Sequence, residues 1–439
     1  MEATVRNIAS SRCLLLDLPP SCIEFCPAHP EYFVVGTYNL EKEEAMAVQK
    51  DGILDDEDGP EEAVRKPQSR NGSLVVFQLV GDTYDISHVQ TLSYPSALLD
   101  LHFHPHQDKH DVLATVSSTG TLSFFRLSPC EWSFTPLIKL ITHKPLGDDR
   151  NVLFLSCAWH PNLPHLLAIT TSDYQVHILN IDDAWNAHQT SPSPVIMHTL
   201  EAWTVAFSPC LINSTDAISD IEPRGSRGFA IYSGGDDSKL LTTTCLYDEE
   251  SGNDSKSNSD ALTAPYPIVI IKGHTAGITA ILPLPLTLAN GSGVMVTGSY
   301  DDCLRVYSIH SQISGVMVRP PRLLAEESLG GGVWRLKLVN LEKPGTEITG
   351  SQVHWSALIL ASCMHAGTRI LELRGDYGGS CQISVLGRFE EHKSMNYGSD
   401  FQPGTEHGGR ALHCVSTSFY DRLLCLWEFD LGKQYCQIH

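Results

Sequence analysis

The chain has 439 residues, 42% of them hydrophobic, so it can bury a large core. Lys and Arg total 30 against 51 Asp and Glu, which gives a net charge of -21. This negative balance argues against direct contact with nucleic-acid phosphates or an anionic membrane. It suits a basic partner surface, or it serves only solubility.

The N-terminal segment carries no recognisable targeting signal. Its one apolar run, residues 13–16, is far too short for a signal peptide. Nowhere does the chain approach the ~20 consecutive apolar residues of a membrane span. Thirteen cysteines are scattered without a repeated spacing. We therefore expect a cytoplasmic protein with reduced thiols.

A strand ending recurs four times in the first half of the chain. Each copy has an apolar or small residue, a spacer, an aromatic residue, a polar residue and a proline. The copies are residues 23–27, 101–105, 157–161 and 205–209. The alternation predicts a half-buried strand, and the proline marks its end.

A short turn rich in Asp and Gly, followed by another strand, also recurs and predicts a hairpin. The clearest turns are residues 234–237, 298–302 and 418–421. The strands that follow such turns end near residues 77, 125, 179, 242, 307, 371 and 427. Seven units spaced by about 50 to 65 residues indicate propeller blades, whose usual period of about 40 to 45 is lengthened by insertions.

The fifth unit resembles the WD-repeat signature. Gly273-His274 precedes Ser299 and Asp301 in the family's order, and Tyr307 stands where the family prefers Trp. We predict an all-β fold, a seven-bladed WD-repeat β-propeller that forms a single domain over residues 1–439. The run 13–18 can pair as the outer strand of the last blade, so that an N-terminal strand closes the ring.

In WD repeats, the turn aspartate caps its hairpin by accepting hydrogen bonds from the backbone and from a histidine. This resemblance implies that structural role for Asp236, Asp301 and Asp421. Asp237, the neighbour of Asp236, is then free to face a pocket.

Two polar insertions interrupt the repeats. Residues 41–63 hold ten acidic residues against two lysines, and we expect a disordered insertion over 41–70 within the first blade. Residues 248–260 predict a second polar loop.

Motifs for metal and phosphate binding are weak. Cys22 and Cys26 would lie about 13 Å apart on a strand, too far to share one zinc ion. His104 and His160 share one repeat position before a proline, which indicates structural roles. The sequence contains no HExxH, CxxC, P-loop, GxGxxG or GxSxG motif. We expect no metal and no cofactor.

Three segments carry polar and aromatic residues that the repeat does not require. They are residues 201–203, 330–335 and 392–401, which begin the fourth, sixth and seventh blades. Because the innermost strands of a propeller start at the same end, we expect these segments to converge at one end of the central channel.

Together these segments resemble one WD-repeat family, the diphthine methyl ester hydrolases of the diphthamide pathway, also named diphthine methyltransferases. The carrying residues are 201–203, 232–237, 298–302, 331–337, 361–365, 392–400, 418–421 and Trp427. Phe401 departs from the family, which tends to have Trp there. The resemblance implies removal of a methyl ester from an intermediate on a histidine of elongation factor 2, giving diphthine. It implies a protein substrate for a monomeric enzyme.

The substrate end carries a methyl ester beside a trimethylammonium group. Aromatic faces attract quaternary ammonium ions, so Trp203, Trp334 and Tyr397 are candidates for binding it. Glu201 and Asp237 would add negative charge.

Ester hydrolysis needs an activated water and donors for the oxyanion. We assign His392 as general base with Asp400 as its orienting partner. Arg335, or the backbone N–H groups of residues 330–332, would hold the oxyanion. A Cys363 thiol nucleophile is less favoured, because burial in a strand raises a thiol pKa.

Two other functions are compatible with the fold. Most WD-repeat proteins are scaffolds, but a scaffold does not need His, Trp and Arg at the channel. A ubiquitin-ligase substrate receptor often has Asp-x-Arg at a blade end, whereas residues 307–309 and 427–429 lack it.

Overall fold

The computed structural model describes residues 5–40, 69–81, 85–130, 135–149, 151–213, 227–248, 261–310, 319–343, 354–405 and 411–432. These residues form strands, connecting turns and one short 3-10 turn, Gln107–Lys109. No helix among them is long and apolar enough to cross a membrane. Nearly all of both polar insertions, the acidic 41–70 and 248–260, lies outside the described residues.

The strands of the N-terminal half follow the chain blade by blade. Two leading strands are β1 (Arg6–Ile8) and β2 (Ser10–Leu15). Blade one contains β3 (Pro20–Phe25), β4 (Tyr32–Thr37), β5 (Asn39–Leu40), β6 (Arg70–Val80) and β7 (Asp85–Tyr94). Blade two contains β8 (Leu98–Phe103), β9 (Val112–Ser117), β10 (Leu122–Leu127) and β11 (Leu137–His143). Blade three contains β12 (Phe154–Trp159), β13 (Leu166–Thr171), β14 (Gln175–Ile181), β15 (Ala187–Gln189) and β16 (Ile196–Met197).

The remaining blades repeat this plan. Blade four contains β17 (Ala202–Phe207), β18 (Ile212–Asn213), β19 (Arg227–Gly235), β20 (Leu240–Tyr247), β21 (Leu262–Thr263) and β22 (Val269–Ile271). Blade five contains β23 (Ile278–Thr287), β24 (Gly293–Ser299), β25 (Cys303–Ile309) and β26 (Arg322–Ser328). Blade six contains β27 (Arg335–Glu342), β28 (His354–Ser362), β29 (Thr368–Asp376) and β30 (Cys381–Phe389). Blade seven contains β31 (Gly398–Phe401), β32 (Ala411–Ser418) and β33 (Leu423–Asp430).

The seven sheets form a ring, which confirms the predicted propeller. The innermost strands are β3, β8, β12, β17, β23, β27 and β31, and each contacts the next around the circle until β31 meets β3. All four aromatic-x-proline segments end innermost strands, and all seven repeat positions fall on the third main strand of a blade. The sequence periodicity therefore located every blade.

Seven hydrophobic clusters hold the ring together, one at each interface between neighbouring blades. The interface between blades seven and one, for example, packs Val415 and Leu426 against Phe33 and Val75, all buried. Because each sheet is covered on both faces by its neighbours, its middle strands are buried along their length. This arrangement explains the long apolar runs in strands such as β9 and β28.

The N-terminal strand closes the ring as predicted. β2 pairs antiparallel with β33 as the outer strand of blade seven, with Cys13 opposite Cys425. β1 continues to blade six and pairs parallel with β30. The second and last strands of the chain, β2 and β33, therefore share one sheet, and no edge of the ring stays open at the closure.

The hairpin turns at one end of the ring have a common geometry. In six blades, the turn between the second and third strands contains one residue with φ between 55° and 77°. These residues are Gly120, Tyr174, Ser238, Asp302, Gly367 and Arg422. Only two are glycines, so the other four hold a backbone conformation that L residues rarely adopt. Side-chain hydrogen bonds from the preceding turn residues support three of them, as described next.

Candidate active site

Three blades carry the same histidine-centred hydrogen bond beneath the turn. In each case the imidazole Nε2 atom forms a hydrogen bond with a side-chain hydroxyl group. The pairs are His198 with Ser233 at 2.9 Å, His274 with Thr297 at 2.7 Å, and His392 with Ser416 at 2.8 Å. Each hydroxyl lies on the second strand of its blade. The repeated geometry identifies all three histidines as parts of the blade framework.

The turn aspartate of blade four is Asp237, and our assignment of this role to Asp236 is wrong. Asp237 accepts hydrogen bonds from the N–H groups of Thr199 at 3.0 Å and Lys239 at 3.2 Å. His198 Nδ1 lies 3.0 Å from its Oδ1. A pocket-facing role for Asp237 has no support in this geometry, because its side chain is 4% exposed and fully engaged.

The hairpin-capping role is confirmed for the turn aspartates of blades five and seven, although in blade seven the histidine makes no hydrogen bond to the aspartate. Asp301 accepts from the N–H groups of Thr275 at 2.9 Å and Cys303 at 3.2 Å. Asp421 accepts from Lys393 N at 3.0 Å. A common spacing to the leucine of the next strand relates all three: Asp237 to Leu240, Asp301 to Leu304 and Asp421 to Leu424.

The glycine directly before Asp236 is explained by this framework. A Cβ atom on Gly235 would lie 2.6 Å from His198 Nδ1 and 2.9 Å from Asp237 Oδ1. Only glycine lets the imidazole and the carboxylate meet beside the strand. Asp236, in contrast, lies outside this buried cluster and is exposed.

His392 lies in the framework of blade seven and not at the channel. It is buried, and Ser416 Oγ, its partner, also accepts a hydrogen bond from Trp427 Nε1 at 3.0 Å. Burial lowers the pKa of His392 to about 4. Its Nδ1 is buried without a hydrogen-bond partner.

Asp400, the expected partner of His392, is engaged elsewhere. Its Oδ2 accepts from Phe25 N at 2.7 Å and lies 2.9 Å from Lys337 Nζ. The structure therefore gives no hydrogen bond between His392 and Asp400. The catalytic roles of both residues stay predictions.

Four aromatic side chains meet where the innermost strands begin, and we call this group the aromatic mouth: Trp203, Tyr300, Trp334 and Tyr397. Trp334 is the centre, with ring centroids 5.7 Å from Trp203, 5.8 Å from Tyr300 and 4.8 Å from Tyr397. All four rings are half-buried, so each keeps an accessible part.

The mouth joins blades four to seven, because β17, β27 and β31 all start at this end and Tyr300 sits in a turn that closes there. The expected convergence of the three segments is confirmed, while ligand binding by Trp203, Trp334 and Tyr397 stays a prediction. Tyr300 was missed. Its position in the sequence could have identified it, because Tyr300 directly precedes the turn aspartate Asp301, as Asp236 directly precedes the turn aspartate Asp237.

Carboxylates border the mouth on the side of blade four. Trp203 Nε1 donates to Asp236 Oδ1 at 3.1 Å. Glu201 is half-buried at the start of the same blade, and its carbonyl accepts from Asp236 N at 2.8 Å. Asp236 is thus the acidic group in direct contact with the mouth, and Glu201 lies one backbone hydrogen bond away.

Beyond the mouth, the central channel contains a cavity of about 350 Å³. Tyr397 is the residue of the mouth that lines it, together with Arg335, Lys337 and His102, so the mouth meets these charged side chains at Tyr397. Trp334 of the mouth and Arg335 of the channel are consecutive in the chain. A ligand held at the mouth can therefore reach the charged lining.

Ion pairs across four blades fix the charged lining. Arg335 Nη2 lies 2.9 Å from Asp100 Oδ1. His102 bridges two carboxylates, with Nδ1 2.8 Å from Glu24 Oε2 and Nε2 3.4 Å from Asp100 Oδ1. Lys337 Nζ lies 3.7 Å from Glu24 Oε1, besides its contact with Asp400. Sequence reasoning found Arg335 and Asp400 here but missed the other four residues.

The pKa values keep this lining charged at neutral pH. Burial alone would lower the pKa of His102, but Asp100 and Glu24 outweigh it and raise the pKa to about 9. Burial alone would raise the pKa of Asp100, yet Arg335 and His102 hold it well below its usual range. His102 and Asp100 are therefore both ionised, whereas burial raises the pKa of Asp400 against the opposing effect of Lys337.

Other chemistries find less support. Burial raises the pKa of the Cys363 thiol to about 12, which disfavours a thiolate nucleophile. His104 and His160 accept hydrogen bonds from nearby backbone N–H groups, so their structural roles are confirmed. In the described part of the chain, no three or more His, Cys, Asp and Glu side chains are arranged to hold a metal ion.

The strands and their ring arrangement define a seven-bladed β-propeller with an aromatic, acid-bordered entrance to a charged channel. The chain is 27% identical over 413 residues to a Schizosaccharomyces pombe protein named diphthine methyltransferase, covering 94% of this chain and 95% of that protein. A Dictyostelium discoideum protein named diphthine methyltransferase homolog is 25% identical over 433 residues, 94% of this chain and 97% of that protein.

A Mus musculus protein named diphthine methyltransferase is 26% identical over 401 residues, 88% of this chain and 68% of that protein. No family model matches the chain. The resemblance indicated by the sequence motifs is confirmed by these similarities, which span nearly the whole propeller.

Proposed function

We propose that the protein hydrolyses the methyl ester of diphthine methyl ester on elongation factor 2 and releases diphthine and methanol. The similar proteins named diphthine methyltransferase support a role in diphthamide biosynthesis. The direction of the reaction, the ester and the protein substrate are part of the proposal.

The aromatic mouth is the observation that carries the proposal. A trimethylammonium group over an aromatic face gains about 0.5 to 2 kcal/mol through cation–π attraction. Trp203 and Tyr397 both pack against Trp334, all three rings are half-buried, and Asp236 supplies a negative charge beside Trp203. Such a site suits a quaternary ammonium ion far better than a primary amine, which would need hydrogen-bond acceptors.

The cavity size fits the end of one modified side chain. About 350 Å³ lies at the lower end of the range for ligand pockets. With its ammonium group at the mouth, the ester of the substrate would enter the channel beside Arg335.

Hydrolysis then needs water, a base and an oxyanion partner. Water attacks the ester carbonyl, the C–O bond to methoxide breaks, one proton of the water ends on methanol, and the other is released from the new carboxyl group. Arg335 is the proposed donor to the oxyanion, since its guanidinium lines the cavity. For the proton transfer we propose Asp236, whose carboxylate contacts the mouth and is exposed, and the predicted general-base role of His392 is the alternative.

The test follows the mass of the modified peptide of elongation factor 2. Purified protein is mixed with the methylated factor without any added cofactor. Loss of one methylene mass together with released methanol is the expected result. Unchanged substrate with folded protein at substantial concentration would overturn the proposal and favour a scaffold.

A matched pair of variants tests the mouth itself. Trp334→Leu removes the central ring, and Trp334→Phe keeps an aromatic face. We expect Trp334→Leu to raise KM by about 3- to 30-fold, as loss of one cation–π contact implies, and Trp334→Phe to recover most of it. Equal KM values for the two variants would exclude recognition through the ring face.

A further inference from the structure

Three cationic side chains face the same cavity below the aromatic mouth. Arg335 and Lys337 project from β27 of blade six, and His102 projects from β8 of blade two. All three line the cavity of about 350 Å³. We call them the cationic lining. Their side chains are 24%, 25% and 30% exposed, so each retains open surface.

The carboxylates that pair with the cationic lining lie deeper. Asp100 is 1% exposed, Asp400 5% and Glu24 15%. The second oxygen of Asp100 is also engaged, since it accepts from Ser156 Oγ at 2.8 Å and Cys157 N at 3.1 Å. The three cationic side chains are therefore more exposed than the carboxyl groups that pair with them.

We propose that the cationic lining is an anion subsite, which takes a carboxylate. Together with the aromatic mouth, it makes the propeller a receptor for betaine-type groups, in which a quaternary ammonium and a carboxyl group are close neighbours. The identity of the natural ligand rests on the proposed function, whereas the subsite itself rests on the channel.

The donors needed for a carboxylate are present. A guanidinium has five N–H donors in a planar fork, and the described structure gives Arg335 one partner, Asp100. Lys337 carries three donors, and its recorded partners are Asp400 and Glu24. Both side chains can hold their buried carboxylates and still donate into the cavity.

The charge balance favours a carboxylate over a phosphate. Three cationic side chains face three carboxyl groups within the cluster, and burial raises the pKa of one of these, Asp400. The net positive charge is therefore small, and a dianion would gain little from entering. A singly charged carboxylate requires two or three directed N–H groups and tolerates apolar walls. Such walls are present, since Ile281 and Leu336 also line the cavity.

The mouth and the subsite are adjacent, as a betaine requires. Trp334 and Arg335 are consecutive at the start of β27, and Tyr397 both packs on Trp334 and lines the cavity. The ammonium would rest on the rings while the neighbouring carboxyl group points at Arg335. In the proposed reaction, this subsite would hold the ester carbonyl first and the product carboxylate afterwards.

The experiment compares small probes on the unmodified protein by isothermal titration calorimetry. The probes are glycine betaine, glycine betaine methyl ester, tetramethylammonium and acetate. We expect glycine betaine to bind at least about 10-fold more tightly than tetramethylammonium or its own methyl ester, as one charge-assisted contact implies. Equal affinities for glycine betaine and tetramethylammonium would overturn the anion subsite.

A variant of Lys337 tests whether the carboxylate of glycine betaine contacts the cationic lining. Lys337→Gln keeps a hydrogen-bond donor beside Asp400 and removes the charge, and we expect it to lower the affinity for glycine betaine about 5-fold or more while affinity for tetramethylammonium stays the same. A parallel loss for both probes would contradict the assignment. Should Lys337→Gln not fold, the probe comparison on the unmodified protein still decides.

The two proposals fail separately. If the protein prefers glycine betaine but releases no methanol from elongation factor 2, the anion subsite is supported and the esterase activity is rejected. Methanol release without that preference would uphold the esterase and remove the subsite.

Discussion

Trp203 Nε1 donates a hydrogen bond to Asp236 Oδ1 over 3.1 Å, whereas the next residue, Asp237, faces the opposite way and binds His198. Two adjacent carboxylates therefore serve two environments. Asp236 belongs to the mouth of the channel, and Asp237 belongs to the framework of the blade. This separation lets function and stability be tested at neighbouring positions with the same substitution.

The first prediction compares Asp236→Asn with Asp237→Asn. If Asp236 is the base, Asp236→Asn should reduce kcat by about 10² or more and leave the melting temperature unchanged. Asp237→Asn should do the reverse, since its amide NH₂ must face the Thr199 or the Lys239 N–H group. Loss of these buried contacts would cost about 1 to 3 kcal/mol of unfolding free energy.

Ester turnover and thermal denaturation of both variants check this prediction. A large loss of kcat in Asp237→Asn with an unchanged melting temperature would reverse the two roles. Full activity in Asp236→Asn would remove it as the base.

The second prediction concerns His392. His392→Ala should lower the unfolding free energy by about 1 to 3 kcal/mol, because Ser416 Oγ, which also accepts from Trp427 Nε1, loses its contact with the imidazole in the core of blade seven. Residual activity should track the folded fraction. The exposed His365→Ala is the control and should leave the melting temperature unchanged.

Turnover measured well below the melting temperature decides between the two roles of His392. A fall of about 10² or more in a fully folded His392→Ala protein would restore the general-base assignment made from the sequence.

The sequence contains enough information to predict the blades and also the histidine and aspartate contacts of their framework. Strand alternation and turn chemistry are local, so β8, β12 and β17 could be placed from a few residues each. The spacing from Asp237 to Leu240 repeats that from Asp301 to Leu304 and could have assigned the turn aspartate. Likewise, 24 residues separate His392 from Ser416 and 23 separate His274 from Thr297, which marks His392 as structural.

The charged channel could not be predicted in the same way. Glu24 and His102 are 78 residues apart, and Arg335 meets Asp100 only after the ring has closed. Each of these residues lies on an innermost strand, and the local sequence pattern predicts only that this strand is half-buried. Blade order and the stagger of strands around the channel decide which charged groups face one another. Neither can be predicted from the spacing of residues within one strand.

The third prediction is a pH dependence from His102. Its pKa in the folded protein is raised from 6.5 to about 9, chiefly by Asp100 and Glu24 against the opposing effect of burial. A raised pKa means that the stabilisation is fully present below the unfolded value and is lost as pH rises through the folded value. The wild-type protein should therefore lose this contribution between about pH 6.5 and 9.

Thermal denaturation of the wild type and His102→Gln near pH 6 and near pH 10 measures this contribution. The wild type should exceed His102→Gln by a few degrees at the lower pH, and the gap should narrow at the higher pH. A gap that widens with pH would show that His102 is neutral in the folded protein.

The last prediction tests the closure of the ring through its cysteines. Cys13 of β2 lies opposite Cys425 of β33, and their sulfur atoms are 2.9 Å apart. Leu16 N donates to Arg422 O in the same ladder, and bonded pairs alternate along antiparallel strands. Cys13 and Cys425 therefore form a non-hydrogen-bonded pair, whose Cα separation of about 4.5 Å falls within disulfide range.

Oxidised glutathione should convert these two thiols into one disulfide, with release of two reduced glutathione molecules. Cys13 is exposed and makes the first exchange, and Cys425 then displaces glutathione from it. Peptide mapping should find the Cys13–Cys425 link, and the melting temperature should rise, because the bond restricts the unfolded chain. Cys425→Ser should instead retain glutathione on Cys13 with no such rise. Persistent glutathione on Cys13 in the wild type would show that β2 does not pair with β33 in this register.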